Sequence, residues 1–167
     1  EHDHPGIYRL DLPTGSGKTN LSMRYGFHQM YYKRKKKFIY ITPFLSVLEQ
    51  NAYHIRKVVG EKNIGVLEHH SNILTMDSSE SDAKQQVMRE YLVDTWDSPI
   101  VLSTMVQLFQ TFFKNKSSNI RRFSNLIDSV LILDEVQSLP VDVTTLFNLT
   151  INFLSIAMNA SIVLCTA

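Results

Sequence analysis

Leu12-Pro13-Thr14-Gly15-Ser16-Gly17-Lys18-Thr19 follows directly on the apolar run Gly6-Ile7-Tyr8-Arg9-Leu10-Asp11-Leu12 and precedes a helical pattern. It reads as a phosphate-binding loop. A backbone that wraps a polyphosphate with its N–H groups inward needs residues without a Cβ at the closest approach, here Gly15 and Gly17. A helix opening at Lys18 adds unpaired N–H groups and the positive end of its dipole. The Lys18 ammonium is placed for the β- and γ-phosphates, and the Thr19 hydroxyl is the expected ligand for Mg²⁺. The pattern G-x-x-x-x-G-K-[ST] fails only at its first glycine, where Leu12 stands.

A second landmark is Val130-Leu131-Ile132-Leu133-Asp134-Glu135-Val136-Gln137. Four consecutive aliphatics signal a strand buried on both faces, as in parallel sheets. Two carboxylates at its end are costly unless an ion or a reacting water occupies the site. Asp134 would then hold Mg²⁺, and Glu135 would orient or deprotonate the attacking water.

Between the landmarks, strand and helix patterns alternate. Residues 18–33 suit a helix with Leu21, Tyr25, His28 and Tyr32 on the packed face. Phe38-Ile39-Tyr40-Ile41-Thr42 is a buried strand, and 44–58 a helix with Leu45, Leu48, Ala52 and Ile55 inward. A weaker strand covers 64–67. A polar stretch, 73–82, reads as a mobile loop before a helix with Ala83, Val87, Met88, Tyr91 and Leu92 in a stripe. Then come a strand at 99–104, helices at 105–113 and 119–127 with Arg121 and Arg122 outward, and a helix from Asp142 to Met158. That last helix, apolar nearly all round, is buried or leans on another domain. Ser161-Ile162-Val163-Leu164-Cys165-Thr166-Ala167 closes as a strand. The alternation predicts an α/β fold, a doubly wound, mostly parallel sheet with helices on both faces. Ligands lie outside the carboxyl ends of such strands, which gathers 13–19, 134–137 and 166–167 on one rim.

Composition is that of an ordinary globular domain: 167 residues, 44% hydrophobic and 20% charged, with a net charge of +1. Any nucleic-acid surface must therefore be local. Cys165, the single cysteine, excludes an internal disulfide and reads as a small apolar residue in a buried strand. The run Lys33-Arg34-Lys35-Lys36-Lys37 suits a helix end and a solvated turn, or a nucleic-acid contact. His2, Asp3 and His4 form an isolated terminal cluster that reads as incidental, and His69 and His70 have no other ligand at zinc spacing, so hydrogen bonding or loop structure accounts for that pair. With no membrane-length apolar run and no signal layout, a cytoplasmic location is expected.

Thr14-Gly15-Ser16-Gly17-Lys18-Thr19, Asp134-Glu135-Val136-Gln137 and Cys165-Thr166-Ala167 resemble the first three ATPase motifs of superfamily 2 helicases. Residues 41–51, 66–72 and 103–109 are similar to segments of the signature helicase–nuclease of type I CRISPR interference, recruited by Cascade. The resemblance implies a RecA-like P-loop NTPase domain spanning 1–167, the first of two motor domains, with ATP and Mg²⁺ as cofactors. It implies nucleotide contacts from Pro13, Thr14, Gly15, Ser16, Gly17, Lys18 and Thr19, metal contacts from Thr19 and Asp134, and catalytic roles for Lys18, Glu135 and Gln137, the last linking nucleotide state to strand contacts. It further implies that Pro43, Phe44, Ser46, Gln50, Thr104 and Gln107 track single-stranded DNA through phosphate and sugar, independently of sequence. The metal-dependent HD nuclease domain and the second RecA-like domain with its arginine fingers do not fall within these residues, so weak ATP binding and poor turnover are expected of this piece alone. Two other functions remain: a superfamily 2 helicase acting on RNA or in repair, against which Glu68-His69-His70-Ser71-Asn72 argues, and a nucleotide-gated scaffold without turnover, against which Lys18, Thr19, Asp134 and Glu135 argue.

Overall fold

The computed structural model describes residues 6–13, 15–60, 65–69 and 80–166, with the backbone alone for 80–85. His2, Asp3, His4, Thr14, His70, Ser71, Asn72 and the stretch 73–79 therefore lie outside the described residues, as do Ala167 and the Ala83 side chain. Six strands, β1 (Ile7–Asp11), β2 (Lys37–Thr42), β3 (Val66–His69), β4 (Ile100–Thr104), β5 (Ser129–Leu133) and β6 (Ser161–Thr166), form one sheet. Its order is β1-β6-β5-β2-β4-β3, and every pairing is parallel. The chain steps from β1 across to β2 and β3, then returns through β4, β5 and β6. That reversal is the double winding the alternating pattern predicts.

Alternation along each strand sorts two cores. Phe38 and Tyr40 of β2, with Val130 and Ile132 of β5, pack under α1 (Lys18–Tyr32) and α2 (Leu45–Val59). Ile39, Ile41, Leu131 and Leu133 face the other way, toward α3 (Glu80–Thr95), α4 (Met105–Phe113), α5 (Ser117–Ser124) and α6 (Thr144–Ala157). Strand β5 is buried along its whole length, so each aliphatic side chain contributes about 1.5–3 kcal/mol by leaving water.

Strand registers follow the apolar runs closely, though β3 begins two residues later than the run at 64–67 suggests and ends on His69. Helix faces depart more. The buried face of α1 is Lys18, Ser22, Met23, Gly26 and Gln29, while Leu21 and Tyr32 are exposed. Gly26 explains the rotation: a Cβ there would stand 2.2 Å from Cε2 of Phe38. The helix closes on the sheet through Ser22 and Gly26 beside Met23, and Leu21 and Tyr32 are turned aside. On α3, Val87, Met88 and Tyr91 are exposed, and among the described side chains of the expected stripe only Leu92 packs on the core, beside Trp96. Arg122 is buried rather than outward, its guanidinium 5.7 Å from the Trp96 ring and donating to the Asp94 carbonyl at 3.1 Å. Helix α6 buries one face, Phe147, Thr150, Ile151 and Leu154, and exposes Leu146, Leu149, Phe153 and Ile156.

The basic run lies at the amino end of β2, the opposite end of the sheet from residues 134–137. Lys35 donates to the Asn159 carbonyl, and Lys37 to the Trp96 carbonyl at 3.0 Å and to Asp97 at 3.1 Å. Both are buried, so two of the five cations stitch strand entrances together rather than face solvent. His69 is likewise buried and accepts from the Trp96 indole N–H at 2.9 Å, the hydrogen-bonding role expected of it.

Candidate nucleotide and metal site

The loop before α1 leaves the carboxyl end of β1, the edge strand, whose one neighbour in the sheet is β6. Gly15 (φ 80°) and Gly17 (φ 82°) both take the left-handed conformation, and nothing stands within 4 Å of a Cβ built on either. Both positions thus take a backbone conformation that favours glycine. Gly17 is the residue before the first turn of α1, and with no side-chain cap there the helix N–H groups remain available to an anion. Leu12, the departure from the glycine pattern, donates its N–H to the Thr166 carbonyl at 3.3 Å and joins the loop to β6.

Lys18 is 9% exposed and reaches across the end of β6 to Glu135, its Nζ 3.0 Å from Oε1. Glu135 is itself in the left-handed region (φ 52°, ψ 40°), a conformation that costs a non-glycine residue roughly 1 kcal/mol or more and clusters at functional sites. Three contacts hold it there. Its N–H donates to Oδ1 of Asp134 at 3.0 Å, its carbonyl accepts from the Ser138 hydroxyl at 2.7 Å, and its Oε2 accepts from the Gln137 amide. Two 3₁₀ turns, Val136–Ser138 and Val141–Val143, then carry the chain to α6.

Asp134 is 3% exposed, and among the described residues no cationic side chain pairs with it. Its Oδ2 instead accepts from the Tyr40 hydroxyl at 2.5 Å, and its backbone N–H bonds the Ile41 carbonyl at 2.8 Å. A buried carboxylate without a cation is costly. With the Thr19 hydroxyl it forms a set of hard oxygen donors that fits Mg²⁺, which binds through one or two carboxylates, waters and substrate phosphates. No group of three or more His, Cys, Asp or Glu side chains converges among the described residues, so phosphate oxygens and water would complete the shell. Cys165 of β6 lies under these charges; burial first, then the Asp134 carboxylate, pushes its thiol pKa up to about 12. It is a neutral, buried packing residue, as its sequence position suggests.

The remaining candidates lie beside this rim at the ends of β2 and β4. Phe44 is 52% exposed, Ser46 and Gln50 are exposed, and Pro43 is half-buried at the start of α2. Thr104 caps α4 by accepting from the Gln107 N–H at 3.4 Å, and the Gln107 side-chain oxygen accepts from Arg122 at 3.3 Å. Both residues are half-buried and have structural partners. A concavity of about 350 Å³ at the other end of α4, lined by Phe112, Phe113, Lys114, Asn119 and Phe123 among others, contains none of the candidate residues.

The sequence profile of the DEAD/DEAH box helicases matches residues 8–167. The chain belongs to this family. The helicase domain is 26% identical over 152 residues to the CRISPR-associated nuclease/helicase Cas3 of Haloferax volcanii, covering 81% of this chain and 16% of that protein. Among solved structures it superposes on T. fusca Cas3 with ATP at a TM-score of 0.78 and on the same protein with ADP at 0.77. Both are 17% identical, and each match covers 99% of this chain and 19% of that one. The RecA-like helicase fold is shared throughout, and the domain spans less than a fifth of the length of these relatives. No described helix is long and apolar enough to cross a membrane.

Proposed function

We propose that this domain is the first RecA-like motor of a CRISPR-associated superfamily 2 helicase, hydrolysing Mg-ATP to translocate on single-stranded DNA and unwind target DNA for degradation. The observation that carries the reading is the 3.0 Å pair between Lys18 and Glu135, which joins two motifs 117 residues apart at the carboxyl rim. The solved Cas3 complexes with ATP and ADP support a nucleotide in the same cradle.

Lys18 has one ammonium and two uses for it. A γ-phosphate with more negative charge than a carboxylate draws it away from Glu135, which is then released to accept a proton from the attacking water. Gln137, bonded to Glu135, keeps that carboxylate oriented and senses whether the lysine has left. Asp134 and Thr19 would hold Mg²⁺, which neutralises charge on the phosphates in flight. Pro43, Phe44, Ser46, Gln50, Thr104 and Gln107 contact the tracking strand at phosphate and sugar, without reading sequence. A second RecA-like domain supplies the arginine fingers, and an HD nuclease, on the same chain or a separate subunit, cuts the strand delivered by a Cascade-type complex in the cytoplasm. Residues 1–167 alone hydrolyse ATP poorly because half of the cleft belongs to that second domain.

The test is ATP turnover by this chain joined to a second motor domain, with single-stranded DNA, single-stranded RNA or neither. Stimulation by DNA supports the translocase. Stimulation by RNA alone moves the reading to an RNA helicase, and nucleotide binding without turnover moves it to a scaffold.

A further inference from the structure

Tyr40 shares one face of β2 with Phe38 and Thr42, and it is completely buried. A phenol there must find partners. It donates its one proton to Oδ2 of Asp134 at 2.5 Å and accepts from Nδ2 of Asn51 at 3.2 Å. Its one donor and one of its two acceptor sites are thus in use. Asn51, itself buried, comes from α2, one residue after Gln50. Three elements therefore meet at a single oxygen: the end of β5 through Asp134, α2 through Asn51, and β2, which carries the ring.

We propose that Tyr40, held by Asn51, is a positioning residue for the divalent cation site. The inference rests on Thr19 and Asp134 being the metal-binding pair, as proposed above. The phenol donates to the Asp134 carboxylate, the one charged group it bonds among the described residues. That bond to one Asp134 oxygen fixes the rotation of the carboxylate. Partners of this kind orient metal-binding groups, and their loss typically weakens metal affinity about 10-fold or more. Phenylalanine at position 40 would fill the same volume and remove only these bonds.

The experiment compares wild type, Tyr40→Phe, Asn51→Ala and Asp134→Asn. A fluorescent ADP derivative is titrated in EDTA, and Mn²⁺ binding to the nucleotide complex is followed by electron paramagnetic resonance. Tyr40→Phe is expected to bind nucleotide in EDTA as wild type does and to weaken Mn²⁺ about 10-fold. Asn51→Ala keeps the phenol but frees it to turn, and is expected to weaken Mn²⁺ at least about twofold. A folded Tyr40→Phe with Mn²⁺ affinity within about twofold of wild type overturns the proposal, and so does an unchanged Asn51→Ala if Tyr40→Phe fails to fold. Asp134→Asn separates the two readings. If it loses Mn²⁺ while Tyr40→Phe does not, only the role of Tyr40 falls; if Asp134→Asn binds Mn²⁺ as wild type does, the metal assignment falls and takes this inference with it.

Discussion

At the amino ends of the strands Lys37 donates to the Trp96 carbonyl at 3.0 Å and to Asp97, while Lys35 reaches the Asn159 carbonyl. At the carboxyl ends Lys18 holds a single carboxylate, Glu135, and Asp134 has a phenol and an amide. Both ends bury charged groups against solvent. The difference lies in the partners. Backbone carbonyls in the turns that lead into the strands have nowhere else to go, so the lower lysines lock the strand entrances. Side-chain carboxylates can exchange one cation for another, so the upper cluster is built from bonds that a ligand can replace.

Mutations should split along this line. Lys18→Ala and Glu135→Gln are expected to lower ATP turnover by at least about 100-fold, the scale for losing one charge-stabilising or proton-accepting group, while the melting temperature of either variant stays within a few degrees of wild type. Lys37→Met should do the reverse. It keeps the aliphatic stem but leaves the buried Trp96 carbonyl without this donor, costing about 2 kcal/mol in chemical unfolding, with nucleotide affinity per folded molecule unchanged. A Lys37→Met variant that loses nucleotide binding at full stability would erase the distinction.

A smaller effect is expected at Asp128, which caps the lower end. Its carboxyl is held below the usual range, first by the Asn159 amide and then by Lys36. A depressed folded pKa stabilises fully above the unfolded value of about 4, and that stability is lost as pH falls through the folded value. Asp128→Asn suits the same left-handed backbone (φ 56°). Its stability deficit should be present at pH 7 and shrink below about pH 4 in urea titrations followed by circular dichroism. The smallest effect is at Cys165, where the raised thiol pKa and burial predict no reaction with a thiol reagent at pH 8 in the native state and full reaction in urea.

The strands were legible because parallel strands buried on both faces are written as unbroken apolar runs, as in Val130 to Leu133. The loop and the Asp134-Glu135 pair stand out because the chemistry proposed for them needs particular residues at fixed spacing. What sequence periodicity misplaced was packing between distant segments. The stripe Leu21, Tyr25, His28, Tyr32 has helical spacing, yet α1 packs through Ser22 and Gly26 because Phe38 needs the room. Arg122 looks like a surface residue until Asp94, 28 residues earlier, offers it a carbonyl and Trp96 a ring. Tyr40 carried a local signal that was passed over: a hydroxyl inside a buried strand needs a partner, and the nearest chemistry was the site itself.

The edge position of β1 also has a consequence for how the molecule is made. Its pairing in the sheet is with β6, Ile7 against Ile162, a separation of 155 residues in the chain. A loop of that length closes slowly, and β1 cannot pair before β6 has left the ribosome. The loop at residues 12–19 therefore gains its bond to β6, through the Leu12 N–H, only after that strand is made. A ligand that needs the loop in its folded shape would find no such shape on the growing chain before then.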